Sequence, residues 1–317
     1  MDRNLALEFV RVTEAAAIAS ARWVGKGDKN AADKAAVDEM RARFNQIDFK
    51  GRVVIGEGEK DEAPKLYTGE IVGKGKLPVM DLAIDPLECT DSVAWGRYNA
   101  MAVIAAGEKG SLLHAPDTYM EKIAVGPEAA KVIDLDASVK TNLQKIAKAL
   151  QKKVGDLVVV VLDRPRHEKL IKEIRSAGAR VRLITDGDVA AAVATCLPKS
   201  GIDVLMGVGG STEGVLAAVP LKIFGGEILC RFSPRSEKDL EDIKNHLKKA
   251  GISNVKKIFS AADLAKGKHL TFTATGVIDG PLLEGVDFGE DKIITHSIVV
   301  RGVSGTVRYM TTYHNKR

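Results

Sequence analysis

The chain has 317 residues, 45% of them hydrophobic and 28% charged, with a formal net charge of +5. That length suits two domains or two closely joined halves around a sizeable core. Such a composition excludes a disordered chain, and a charge this small and dispersed excludes a nucleic-acid footprint.

Apolar Leu5, Phe9, Val12, Ala16, Ala19 and Trp23 recur at helical spacing and predict an amphipathic helix ending in the loop Gly25 to Lys29. A second helix is predicted over about 31–47. Short β-rich runs at 53–55, 66–72, 79–84, 100–106, 111–114 and 120–125, separated by Gly and Pro, predict a largely antiparallel sheet flanked by helices. From about Asn142 the pattern turns to strand, helix, strand, helix, through 157–162, 167–177, 180–184, 189–196, 204–207 and 213–224. This βαβ succession predicts parallel strands with crossover helices. The lysines between Arg235 and Lys257 alternate with Glu237, Asp239, Glu241 and Asp242, the pattern of a solvated helix face. Further strands are expected near 270–274, 293–300 and 306–313.

Cys89, Cys196 and Cys230 are too few and too scattered for a disulfide framework or a zinc cluster, which points to a reducing, cytoplasmic setting. Glu8, Arg11 and Glu14 interrupt the N-terminus, and no run reaches the roughly 18 apolar residues of a membrane span. The histidines show no metal-binding spacing.

The segment Asp85-Pro86-Leu87-Glu88-Cys89-Thr90 follows an apolar strand. Asp85 is expected at the strand end and Glu88 one turn later; with the Thr90 hydroxyl they present the hard oxygen ligands that Mg²⁺ and Mn²⁺ prefer. A helix starting near Thr90 would aim free N–H groups at an anion. In Gly56-Glu57-Gly58-Glu59 the flanking glycines let the backbone bring the Glu57 carboxylate close to a metal or phosphate. Asp33, at the opening of the second helix, either compensates its N-terminal dipole or serves the site. Gly209-Gly210-Ser211-Thr212-Glu213-Gly214 lies between a strand and a helix, where anion sites and an added carboxylate are expected. Arg164 and Arg166, on either side of the restraining Pro165, are either solubilising surface or a bidentate grip on phosphate.

Two nucleotide motifs are excluded. Thr212 and the acidic Glu213 spoil a dinucleotide loop at Gly207 to Gly210, and Asn30 stands where a Walker A loop needs Ser or Thr.

These blocks run in order with Gly27-Asp28-Lys29-Asn30-x-x-Asp33, Ala115-Pro116-Asp117-x-Tyr119-Met120-Glu121-Lys122, Arg164-Pro165-Arg166-His167 and Asp186-Gly187-Asp188-Val189-Ala190. Together, from near residue 1 to the C-terminus, they resemble the class II fructose-1,6-bisphosphatases of bacteria. The resemblance implies an α/β protein with the layered α/β/α/β/α sugar-phosphatase fold shared with inositol monophosphatases. It also implies a division into residues 1–140, with the metal site on a mixed or antiparallel sheet, and residues 141–317, an α/β sugar-binding half. The implied reaction is metal-dependent hydrolysis of the 1-phosphate of fructose 1,6-bisphosphate to fructose 6-phosphate, a step of gluconeogenesis. A cytoplasmic homodimer or homotetramer is implied, without nucleic-acid or membrane partners.

By the same resemblance Asp33, Glu57, Asp85, Glu88 and Glu213 would hold two or three Mn²⁺ or Mg²⁺ ions. Thr90, placed by Asp33 and Lys29, would orient or activate the attacking water. Residues Glu88, Cys89 and Thr90 would offer their backbone to substrate, as would Gly210. Tyr119, Arg164, Pro165 and Arg166 would grip the far phosphate and sugar, and Asp186, Gly187 and Asp188 would partner sugar hydroxyls. Alternatives are a sedoheptulose 1,7-bisphosphatase or dual-specificity enzyme, an inositol-phosphate phosphatase, and a weakly catalytic sugar-phosphate-binding regulator.

Cys89 departs from the family, which normally has glycine there. A positive φ at this position would cost cysteine about 1 kcal/mol, and a negative one would cost little. A thiol at a helix N-terminus can be reactive, or it can be buried and inert.

Overall fold

The computed structural model describes residues 5–56, 66–249 and 251–316. The chain forms two compact units, one of Met1–Leu112 with Lys266–Arg317 and one of Leu113–Ala265.

The first unit opens with α1 (Leu5–Ala21), α2 (Lys29–Phe44), β1 (Lys50–Ile55), β2 (Ile71–Val72), β3 (Val79–Glu88), α3 (Thr90–Trp95) and β4 (Ala100–Glu108). The second contains β5 (Tyr119–Val125), α4 (Val139–Ala149), β6 (Val158–Leu162), α5 (Glu168–Ser176), β7 (Arg180–Ile184) and α6 (Val189–Ala194). It continues with β8 (Val204–Gly210), α7 (Ser211–Phe224), β9 (Glu227–Phe232), α8 (Glu237–Lys249) and α9 (Ala261–Leu264). The chain then returns to the first unit with β10 (Thr271–Ile278), β11 (Asp287–Phe288), β12 (Lys292–Arg301) and β13 (Thr306–Asn315).

The first sheet runs β11-β12-β10-β4-β3-β1-β2, with β13 also paired to β12. Every pairing in it is antiparallel except β1 with β3. Its core sits where the apolar stripe of α1 meets α2 and the sheet. Phe9, Phe44 and Phe49 are fully buried there, with ring centroids 5.4 to 6.0 Å apart. Polar Thr13 also faces inward, and it is satisfied by a hydroxyl chain: Thr13 to Thr275 at 2.7 Å and Thr275 to Ser297 at 2.8 Å. This chain ties α1 to β10 and β12.

The second sheet runs β7-β6-β8-β5-β9. β6 is parallel to β7 and β8, as the βαβ pattern predicts, and β5 is antiparallel to both its neighbours. Leu143 and Ile146 of α4 and Ile171 and Ile174 of α5 pack on Ile123, Val159 and Val161. The α/β class is therefore observed, as two mixed sheets with helices.

Three local expectations differ. The run 120–125, expected in the antiparallel sheet of the first block, is β5 of the other sheet, between β8 and β9. Residues 111–114 form no strand, and of 66–72 only Ile71–Val72 is one. Alternation of apolar side chains records which faces are buried but not which strand lies alongside. Among the described residues no helix is long and apolar enough to cross a membrane.

Candidate functional site

In the first unit the site residues gather around the start of α2 and the end of β3. Asp28 caps α2, its side chain accepting from Ala31 N at 2.9 Å, so the capping role belongs to Asp28. Asp33, expected at the helix opening, sits half-buried in its second turn.

β3 does not end at Asp85. It continues to Glu88, with Asp85 opposite Val103 and Glu88 opposite Met101, a bulge that contains Pro86. Proline has no N–H for the ladder, so a bulge is where a strand tolerates it. The expected turn is thus a bulged strand, and both carboxylates are buried, Asp85 at 9% and Glu88 at 2% exposure. Asp85 Oδ1 accepts from Leu87 N at 3.1 Å. Burying two carboxylates on one strand end costs free energy unless donors or cations compensate.

Cys89 has φ 74° and ψ 50°, the left-handed region that favours glycine, so the strain of about 1 kcal/mol applies. Its thiol is buried in the core and accepts from Asn99 Nδ2 at 3.4 Å. That placement matches the inert alternative rather than the reactive one. The next residue, Thr90, donates its hydroxyl to Leu87 O at 3.2 Å, and Lys29 Nζ lies 3.7 Å from Asp91 Oδ1. Glu57 falls outside the described residues.

The second unit places Glu213 in the first turn of α7, directly after β8. Its Oε2 is enclosed and, among the described residues, has no hydrogen-bond partner. Gly210 makes this fold-back possible, because a Cβ there would overlap that oxygen. Burial pushes the Glu213 carboxyl above its ordinary range, opposed by the nearby Lys122 ammonium. Lys122 itself is buried and bonded to Asp188.

Arg164 NH2 lies 3.8 Å from Asp186 Oδ1, which also accepts from Gly187 N at 3.1 Å. Pro165 opens a short 3-10 turn over Pro165–His167. Arg166 donates to Val208 O from Nε at 3.0 Å and from NH2 at 2.8 Å, and its guanidinium sits 4.9 Å from the Tyr119 ring centroid. A third guanidinium, that of Arg235, lies 4.3 Å from the same ring.

His167 holds this loop in place. Its Nδ1 lies 2.7 Å from Leu162 O and its Nε2 accepts from Val208 N at 2.8 Å, so the ring is neutral with its proton on Nδ1. Burial is the main cause that lowers its pKa below 6.5. A folded pKa below the unfolded one means the unfolded chain binds the extra proton more readily. The contribution is therefore intact above about 6.5 and is lost as pH falls from there toward the lowered folded value. Thermal melts at pH 7.5 and 5.5 are expected to show a larger drop for the wild type than for His167→Gln. Equal drops would count against this role.

Three residues here had no individual role assigned from the sequence: Lys122, His167 and Arg235. For Lys122 a signal existed, since it stands between Met120 and Ala124 on the inward-facing positions of a strand, where a charge requires a partner. Arg235 carried no such signal within its charged stretch.

Among the described residues no three His, Cys, Asp or Glu side chains converge closely enough to hold a metal ion. The unpartnered, enclosed Glu213 oxygen nevertheless fits a hard divalent cation, as do the carboxylates buried at the end of β3.

The model of the family described as bacterial fructose-1,6-bisphosphatase, glpX-encoded, matches residues 3–314. A D-fructose 1,6-bisphosphatase class 2/sedoheptulose 1,7-bisphosphatase from Synechococcus sp. (strain JA-3-3Ab) is 45% identical over 336 aligned residues, covering 100% of this chain and 97% of the relative. A fructose-1,6-bisphosphatase class 2 from Haemophilus influenzae is 45% identical over 322, covering 99% and 97%. A solved extragenic suppressor from Pyrococcus furiosus aligns over 59% of this chain and 68% of its own at 11% identity and a TM-score of 0.30, too slight a likeness to argue from. The chain is thus an α/β phosphatase. Within that class it belongs to the family of bacterial, glpX-encoded fructose-1,6-bisphosphatases.

Proposed function

We propose that the chain hydrolyses the 1-phosphate of fructose 1,6-bisphosphate, giving fructose 6-phosphate and phosphate, with Mn²⁺ or Mg²⁺ as cofactor. The family match over nearly the whole chain carries the reaction. The unpartnered Oε2 of Glu213 supports the cation.

Asp33, Glu57, Asp85, Glu88 and Glu213 would hold two or three ions. When bound, such cations supply positive charge against the phosphoryl oxygens and make water a stronger acid. Thr90 spends its proton on Leu87 O, which leaves its lone pairs to accept a hydrogen bond from the attacking water and aim it. A sugar bisphosphate carries close to four negative charges near neutral pH, so the end away from the reaction also needs cations. Arg166, fixed by Val208 O and the Tyr119 ring, meets that need, with Arg164 beside it. Asp186 and Asp188 partner sugar hydroxyls, and Gly187 and Gly210 let backbone approach. The setting is cytoplasmic gluconeogenesis, in a homodimer or homotetramer.

A phosphate-release assay tests this reading. Release from fructose 1,6-bisphosphate is expected to require Mn²⁺ or Mg²⁺, to stop on chelation and to return when the ion is restored. Tight sugar-phosphate binding without release under any of these ions would instead favour the regulator. Because the Synechococcus relative is named for both substrates, sedoheptulose 1,7-bisphosphate is the second substrate to assay.

A further inference from the structure

Lys122 lies within β5, 2% exposed, opposite Gly207 on β8 and Cys230 on β9. Its Nζ donates to both carboxylate oxygens of Asp188, at 3.0 and 2.8 Å, and Asp188 is itself 5% exposed at the start of α6. The surroundings are shaped to admit the pair. A Cβ at Gly209 would overlap Asp188 Oδ2 and lie 3.0 Å from Lys122 Nζ. Glu213 is near enough that its charge and that of Lys122 stabilise one another.

Stability alone gives little reason for this arrangement, because a buried ion pair is often no more stable than packed apolar side chains of similar volume. Orientation gives a better one. A two-point hold fixes the plane of the Asp188 carboxylate and still leaves each oxygen a lone pair to accept another hydrogen bond.

We propose that Lys122 is a positioning residue for sugar recognition: by holding both oxygens of Asp188 it aims that carboxylate at substrate hydroxyls without touching the substrate. The proposal rests on the reading of Asp188 as a sugar contact. Lys122 thus reaches the sugar through Asp188.

Calorimetric titration of fructose 6-phosphate into the metal-free chain, with thermal melts alongside, tests it. Lys122→Met and Asp188→Asn are each expected to weaken binding about tenfold or more, the loss associated with a charged hydrogen bond. The double variant is expected to bind no more weakly than Asp188→Asn, because the two side chains act as one unit. It also leaves neither member of the Lys122–Asp188 pair charged without the other, so the comparison with Asp188→Asn remains available if Lys122→Met does not fold. A Lys122→Met protein with a lowered melting temperature and wild-type affinity would overturn the proposal, and so would losses that multiply in the double variant. If the wild type neither binds fructose 6-phosphate nor releases phosphate from the bisphosphate, the phosphatase reading falls and this proposal with it. Wild-type binding and release beside unaffected variants would sink the role of Lys122 alone.

Discussion

Asp85→Asn is expected to lower kcat/KM on fructose 1,6-bisphosphate by about two to three orders of magnitude, with little loss of thermal stability. The substitution keeps an oxygen at the position that accepts from Leu87 N, so the bulge at Pro86 has no reason to relax. It also removes a negative charge from a position 9% exposed, where the charged form is costly to desolvate. What it takes away is the charge with which the end of β3 would attract a divalent cation. Glu213→Gln should behave in the same way, since the amide keeps the shape of a side chain folded over Gly210. Steady-state kinetics at several Mn²⁺ concentrations, with calorimetric Mn²⁺ titration, checks both variants. An Asp85→Asn enzyme with wild-type turnover and ion affinity would remove Asp85 from the site.

The largest expected effect on stability comes from the aromatic cluster under α1. Phe49 is fully buried between Phe9 and Phe44, 5.4 and 5.9 Å away between ring centroids. Phe49→Ala would lose the transfer free energy of the ring and leave a cavity that three elements share, a cost of about 3–5 kcal/mol. Much of the stability of an ordinary domain is of that size. Denaturant melts monitored by circular dichroism measure it, with Phe288→Ala as a control at a position 39% exposed. A loss below about 1 kcal/mol at Phe49 would mean that the cluster repacks.

Several features were readable because their causes are local. The stripe of Leu5, Phe9, Val12 and Ala16 marks α1, and the alternation of apolar runs with helical stretches marks the parallel strands β6, β7 and β8. The acidic end of β3 and the glycine-rich entry to α7 were legible as chemistry, since carboxylates after an apolar strand offer hard oxygen ligands and glycines between a strand and a helix let backbone approach an anion. Other features depend on partners distant in the chain. The alternation in Glu227–Phe232 was present in the sequence, yet its standing as the edge strand beside β5 follows only from packing. The bulge at Pro86 likewise requires β4 as a reference, since a strand alone has no register to break.

The amino-acid sequence by itself determined the α/β class, the phosphatase family and the residues to inspect, because these reside in residue types and short spacings. Tertiary structure alone decided that β5 joins the second sheet, that residues 266–317 complete the first, that Cys89 takes a left-handed backbone, and that Lys122 meets Asp188. Each of those outcomes rests on contacts between segments separated along the chain, which local periodicity does not encode.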